Sequence, residues 1–270
     1  MKQPWWRFIP FRFFNPDTNM AYDEAMFQMY SHNLIPPTLR IYGWHPVGIS
    51  FGYFQDASII NNIKEGNVPY VRRMTGGGII YHKDDISYSI ICSRSDLNIK
   101  GTVDDSYRIL CSFLIRFYES LELKAEFSGY KEEGSDSGGL CCMAKERYDI
   151  TIKGRKIGGN AQRRRKDIVF QHGSIPLKDI SDEVNELSGM DVFGLNRNVT
   201  SLDKELNKKI DCYKAAELLK ESFQNTFNLS FKEIGFTKQE EELKDELLNN
   251  KYSTSRWNLA RLFHVVHEIT

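Results

Sequence analysis

Three consecutive glycines, Gly76, Gly77 and Gly78, restrict the local fold of this chain more than any other stretch. Before them come Val68, Tyr70 and Val71, with Pro69 where a strand can begin, and then Arg72 and Arg73. After them come Ile79, Ile80 and His82. The order reads as strand, tight loop, strand. Without a Cβ anywhere in the loop, its backbone amides can approach a ligand that side chains would exclude. A phosphate-cradling loop needs Gly, four residues, then Gly-Lys-Ser/Thr opening a helix, and this stretch has neither feature. A plain turn and the wall of a binding site both remain open on these residues alone.

The rest of the chain alternates strand and helix signals. Trp6 to Ile9 reads as a short strand stopped by Pro10, and Asp17, Thr18 or Asn19 as the cap of a helix whose core face is Met20, Ala21, Ala25, Met26 and Met29. Leu39 to Trp44 and Ile49 to Phe54 read as paired strands joined through an exposed His45 and Pro46. Ser87 to Cys92 has the apolar character of a buried strand. Thr102 and Asp105 form a capping-box pattern before a helix with Leu110, Phe113, Leu114 and Phe117 on one face, where Cys111 reads as a small buried hydrophobe. Tyr130 to Leu140 is a mobile surface loop by composition. Tyr148 to Ile152 is a strand, Lys153 and Gly154 a two-residue turn, and the chain returns from Lys156 to Gln162. Arg163 to Lys166 reads as a basic loop before a strand over Ile168 to Ser174. Two later helices carry Ala215, Leu219 and Phe223, and Leu243 and Leu247 behind a Thr237 and Glu240 capping box. These signals predict an α/β (α+β) fold, a mixed central sheet flanked by helices, as one domain over 1–260 with an apolar tail over 261–270 that packs back or dimerises.

Composition excludes several classes. With 41% hydrophobic residues in 270, the chain can bury a sizeable core. Its 36 basic and 36 acidic residues cancel, which argues against nucleic acid as a partner. No apolar run approaches a membrane span, and the aromatic, Pro- and Arg-interrupted start MKQPWWRFIPFRFF is not a signal peptide. The expectation is a cytoplasmic protein. Five cysteines without framework spacing fit reduced thiols, and the lack of CxxC or HExxH argues against a metal.

A second stretch, GRKIGGNAQRRRKDIVFQHGSI from Gly154 to Ile175, decides what the glycines are for. Together with RRMTGGGIIYH it resembles the biotin/lipoate protein ligase superfamily, whose members carry RRxTGGGxVxH, then GxKIxGxAQ, then QHGS. The resemblance runs from about Trp6 to Trp257. It implies that Lys156 meets the acyl carbonyl or acyl adenylate, and that Arg72, Arg73, Gly76, Gly77, Gly78, His82, Gly158, Gly159, Asn160, Gln162 and His172 line the substrate site. Arg40, Tyr42, Trp44, Ser50, Gly52 and Gln55 match positions beside the acyl pocket. A desolvated ammonium at Lys156 would polarise a carbonyl and stabilise an oxyanion.

Cys141 and Cys142 set the branch within the superfamily. The octanoyltransferases that the chain resembles form an acyl-thioester on a cysteine, seven residues before a Tyr-acidic-aliphatic strand start. Tyr148, Asp149 and Ile150 supply that start, so the resemblance assigns catalysis to Cys141 with Lys156; Cys142 stands where the branch usually has Phe. Thiols near Lys156, Arg72 and Arg73 would gain nucleophilicity from the cations. The loop after the histidine reads HKDDISYS, closer to the transferases than to ligases, which commonly also carry a further C-terminal domain. The expected activity is octanoyl transfer from octanoyl-acyl carrier protein, through the cysteine thioester, to a lysine of a lipoyl-domain protein such as glycine cleavage H protein or the lipoyl subunit of a 2-oxoacid dehydrogenase. No cofactor and no metal is expected. The alternatives are an ATP-dependent lipoate ligase, an amidotransferase between lipoyl-domain proteins, and a silent acyl-binding protein. Arg163 to Lys166 would meet the acidic surfaces of carrier proteins.

Overall fold

The computed structural model describes residues 5–61, 68–129, 148–188 and 199–261. Cys141, Cys142, the Tyr130 to Leu140 segment and the tail beyond Arg261 lie outside these residues. The first half runs β1 (Trp6–Phe14), α1 (Pro16–Ser31), β2 (Thr38–Trp44), β3 (Gly48–Phe51), α2 (Ser58–Asn61), β4 (Tyr70–Arg72), β5 (Ile80–His82), β6 (Asp85–Ser93) and α3 (Val103–Ser120). The second half runs β7 (Ala125–Phe127), β8 (Ile150–Ile152), β9 (Arg155–Lys156), β10 (Gly159–Arg165), β11 (Ile168–Pro176), α4 (Ser181–Ser188), α5 (Leu202–Leu206), α6 (Cys212–Phe227), β12 (Phe231–Glu233), α7 (Lys238–Leu247) and α8 (Ser255–Asn258). A mixed six-stranded sheet has the order β10-β11-β6-β2-β1-β12, beside the three-stranded sheets β4-β3-β5 and β7-β8-β9. This is the mixed, helix-flanked architecture that the sequence predicts.

The register of the large sheet decides where the site lies. Residues paired across a ladder share a face, and neighbours along a strand alternate. Gly159, Ser174, Ser87 and Tyr42 form one cross-sheet row, and Ala161, His172, Ser89 and Arg40 the next. That face is polar at its centre and is covered by α1, whose buried Asp23 accepts hydrogen bonds from Arg40 (2.8 Å), Ser89 (2.9 Å) and Tyr42 (3.0 Å). The opposite face carries Leu39, Ile41, Tyr88 and Ile90 against Phe113 of α3 and Phe223 of α6, an apolar core.

Several local expectations need correction. β1 continues through Pro10 to Phe14, because a register shift between Ile9 and Arg12 takes the proline out of the ladder. The cap of α1 is Asn15, whose Oδ1 accepts from the Thr18 amide at 2.8 Å, with Pro16 in the first helical turn, where its missing N–H costs nothing. β3 ends at Phe51, not Phe54. The basic run is strand, not loop: Arg163, Arg164 and Arg165 finish β10, and only Lys166 and Asp167 turn the hairpin, with Lys166 at a φ of 56°. Alternation therefore splits these cations between two faces. Arg163 donates to the Met74 carbonyl (3.1 Å) and Arg164 to the Val103 carbonyl (3.0 Å); Arg163, Arg165 and Lys166 are exposed and Arg164 is half-buried.

Candidate active site

The triple-glycine loop joins β4 to β5 on the small sheet and lies against Gly52. A Cβ on Gly52 would stand 2.0 Å from the Gly77 carbonyl oxygen, so only glycine lets the loop come this close. Gly77 has a φ of 107°, which glycine tolerates and a side chain does not. Gly77 and Gly78 are exposed, whereas Arg73 directly beneath is 4% exposed. Its Nη2 donates to the carbonyl of Gly78 at 2.6 Å and of Gly76 at 3.4 Å, and its Nη1 donates to Ser50 Oγ at 2.8 Å.

Two hydroxyl–imidazole–carboxylate chains flank the loop. On one side, Ser50 Oγ is 2.7 Å from His82 Nε2, and His82 Nδ1 is 2.8 Å from Asp85 Oδ2. Asp85 also accepts from Ser174 (2.6 Å), and Trp44 stacks on the His82 ring at 3.6 Å between centroids. On the other side, Thr75 Oγ1 is 2.6 Å from His172 Nε2, and His172 Nδ1 is 3.6 Å from Asp23 Oδ2. Burial pulls both imidazoles below the usual histidine pKa; the aspartates oppose that pull and the Arg73 charge reinforces it. Both are therefore neutral at pH 7. Burial works against ionised Asp23, but hydrogen bonding from His172 and the charge of Arg40 outweigh it and hold its pKa below the usual value.

Lys156 ends β9, and its ammonium is 2.6 Å from Asp149 Oδ2, at the start of β8. A Cβ on Gly159 would meet Lys156 Nζ at 3.7 Å, which places the ammonium on the face of Gly159 and Ser174, the side of the large sheet that holds His172. Gly158, with a φ of 156° and 2.7 Å between its ideal Cβ and the Ser174 carbonyl oxygen, lets β10 close against β11. Asn160 and Gln162 alternate to the other face. Asn160 accepts from Tyr88 and Gln162 donates to Gln171 at 2.7 Å, beneath α3.

The structure thus brings Arg73, the three glycines, His82 and His172 together around one loop. The guanidinium of Arg72 points elsewhere: it is buried and donates to the carbonyls of Tyr53 (2.9 Å), Gln55 (2.7 Å) and Asn258 (2.9 Å), tying β4 to α8. Sequence reasoning gave no site role to Asp23, Thr75 or Asp85. Thr75 and Asp85 stand one residue before the glycines and three after His82, and that spacing is the signal that could have found them.

A cavity of about 350 Å³ opens beside the loop, lined by Tyr53, Phe54, Met74, Thr75, Gly76, Gln162, Arg163, Lys251 and Trp257. Aromatic and apolar side chains share its walls with Gln162 and the cations Arg163 and Lys251, so the lining offers both apolar surface and positive charge. Among the described residues, no cluster of histidine, cysteine and carboxylate side chains could hold a metal ion, and no helix is long and apolar enough to cross a membrane.

A mixed sheet carrying a glycine-rich β4–β5 loop beside buried histidines and a strand lysine has the arrangement that the motif resemblance places in an acyl-handling catalytic domain. The lipoyl protein ligase A/B catalytic domain family matches residues 15–224, and the chain belongs to that family. It is 32% identical over 276 residues to an octanoyltransferase LipM of Geobacillus kaustophilus, covering 95% of this chain and 98% of the relative. It is 30% identical over 278 residues to the octanoyltransferase LipM of Bacillus subtilis, covering 97% and 100%. In fold it is similar to the crystal structure of lipoate-protein ligase A bound with ATP, with a TM-score of 0.79, 24% identity and coverage of 97% and 100%.

Proposed function

We propose that this chain is an octanoyltransferase that takes an octanoyl group from the thioester of an acyl carrier protein, holds it on Cys141, and delivers it to a lysine of a lipoyl-domain protein. Full-length relatedness to octanoyltransferases supports the acyl group. The observation that carries the chemistry is the ion pair of Lys156 with Asp149, eight residues after Cys141, on the sheet face shared with His172. In the first half-reaction the Cys141 thiolate attacks the thioester carbonyl, the oxygen takes the electron pair, and the carrier thiolate leaves with a proton. In the second, the acceptor lysine amine attacks the cysteine thioester, the Cys141 thiolate departs, and an amide forms. Lys156 aligns and polarises the carbonyl and shuttles the proton. A cytoplasmic setting and freedom from nucleotide and metal belong to this reading.

The test is transfer from octanoyl-acyl carrier protein to an apo lipoyl-domain protein, with and without ATP, alongside acetyl-acyl carrier protein. Transfer without ATP is expected, with octanoyl far better than acetyl, because six buried methylenes at about 0.8 kcal/mol each favour the long chain by roughly 5 kcal/mol gross. Strict ATP dependence would replace the transferase by a ligase, and equal use of both chains would contradict an acyl-fitting cavity.

A further inference from the structure

Arg73 is a buried cation whose guanidinium donates to neutral acceptors, Ser50 Oγ and the carbonyls of Gly76 and Gly78. Among the described residues no carboxylate pairs with it directly. Its nearest anion along hydrogen bonds is Asp85, reached through Ser50 and His82. The direction of that chain is fixed. Asp85 accepts from Ser174 at 2.6 Å and from Ser87 at 3.4 Å, which marks it as an acceptor, so His82 Nδ1–H donates to it. Neutral His82 then accepts at Nε2 from the Ser50 hydroxyl, leaving a Ser50 lone pair for the Arg73 N–H. Every bond runs from guanidinium to carboxylate, and bonds aligned in this way polarise one another.

The other end of Arg73 sets the loop. Its Nη2 draws the carbonyls of Gly78 (2.6 Å) and Gly76 (3.4 Å) inward. In a trans peptide the N–H points opposite to the C=O, so the amides that follow these carbonyls, those of Gly77 and Ile79, point away from Arg73. The amides of Gly76, Gly77 and Gly78 donate none of the hydrogen bonds of the described backbone. Two peptide dipoles thus turn their positive ends away from Arg73, with that cation behind them. A buried charge without a direct counter-ion is costly and is expected where a charge of the opposite sign arises.

We propose that Arg73, held by Ser50, His82 and Asp85, is a positioning residue that orients the triple-glycine loop so that the amides of Gly77 and Ile79 receive the oxyanion of the tetrahedral intermediate in thioester attack. The proposal rests on the acyl-transfer reading above. Arg73 acts through the peptide units and does not touch the reacting atoms. Ser50 and Asp85 acquire a role in the reaction that their burial conceals.

The experiment pairs single-turnover octanoylation, followed by intact mass, with proton–nitrogen spectra of the whole protein. Removing one loop-orienting hydroxyl, Ser50→Ala, is expected to slow the maximal acylation rate about tenfold or more, a fraction of the 10²–10³ that a direct oxyanion donor is worth. The half-saturating donor concentration should stay within about twofold, since the ground-state thioester carries little charge. The Gly77 and Ile79 amide resonances should shift in Ser50→Ala and in Arg73→Lys, and Ser50→Thr, which keeps the hydroxyl, should recover the rate and the resonances. An unchanged maximal rate, or a loss confined to half-saturation, overturns the proposal. If the wild type takes no octanoyl group, the acyl-transfer reading fails first; unshifted Gly77 and Ile79 amides in both variants would then overturn the loop orientation independently.

Discussion

Single residues in this site are constrained more by space and hydration than by direct contact with a ligand. Gly52 leaves 2.0 Å between its ideal Cβ and the Gly77 carbonyl oxygen, and the obstruction is backbone. Gly52→Ala should therefore cost about 1–3 kcal/mol in urea unfolding and displace the loop, with acyl transfer falling further than stability explains. An Ala at Gly154, whose Cβ would meet nothing within 4 Å but whose φ is 73°, is the control for strain without collision. His82 and His172 make a separate prediction. Both have folded pKa values below the ordinary 6.5, so beneath that pH the unfolded chain binds more protons and stability falls as pH falls. Thermal melts should show the midpoint dropping between pH 7 and 5 in wild type and dropping less steeply in His82→Gln. Parallel slopes would mean that His82 is not held neutral by burial. Asp23, with a lowered pKa, loses its contribution only at lower pH, below the ordinary 3.8, whereas the histidine loss begins as pH falls through 6.5.

At the scale of elements, Glu240 shows how one side chain can serve two structures. It completes the capping box of α7 by accepting from the Thr237 amide at 2.8 Å, and it also receives both arms of Arg7 on β1, at 2.8 and 2.5 Å, with neither side chain exposed above 2%. Thr237→Ala should cost about 1 kcal/mol, the usual worth of a cap. Glu240→Ala should cost about 3–5 kcal/mol, because it strands a buried guanidinium; equal losses in urea titrations would show that the ion pair contributes nothing. The capping boxes at Thr102 and Thr237 were legible because they are local, four residues carrying their own partners. The glycine loop and the Lys156 strand were legible for the same reason. The Arg7–Glu240 pair, 233 residues apart, was not, nor were the two histidine chains, since Asp23 meets His172 only after α1 lies across the sheet. Arg163 to Arg165 misled as a loop because composition does not report the two-residue period that assigns them to β10.

For the whole molecule, zero net charge leaves docking to local patches. Arg164 is half-buried and donates to a backbone carbonyl, so the cations left to meet an acidic carrier are the exposed Arg163, Arg165 and Lys166 on β10 and its turn. Arg165→Glu with Lys166→Glu should lower kcat/KM for octanoyl-acyl carrier protein and flatten its salt dependence, while a small octanoyl thioester is used as before. Unchanged carrier kinetics would move the docking surface elsewhere. The account as a whole depends on a covalent acyl-enzyme. Mixing the full-length protein with octanoyl-acyl carrier protein in the absence of ATP, and weighing it intact, should reveal one octanoyl group that hydroxylamine removes, absent in Cys141→Ala and present in Cys142→Ala. The reverse pattern would shift the nucleophile by one residue, and no adduct on the wild type would contradict the transferase itself.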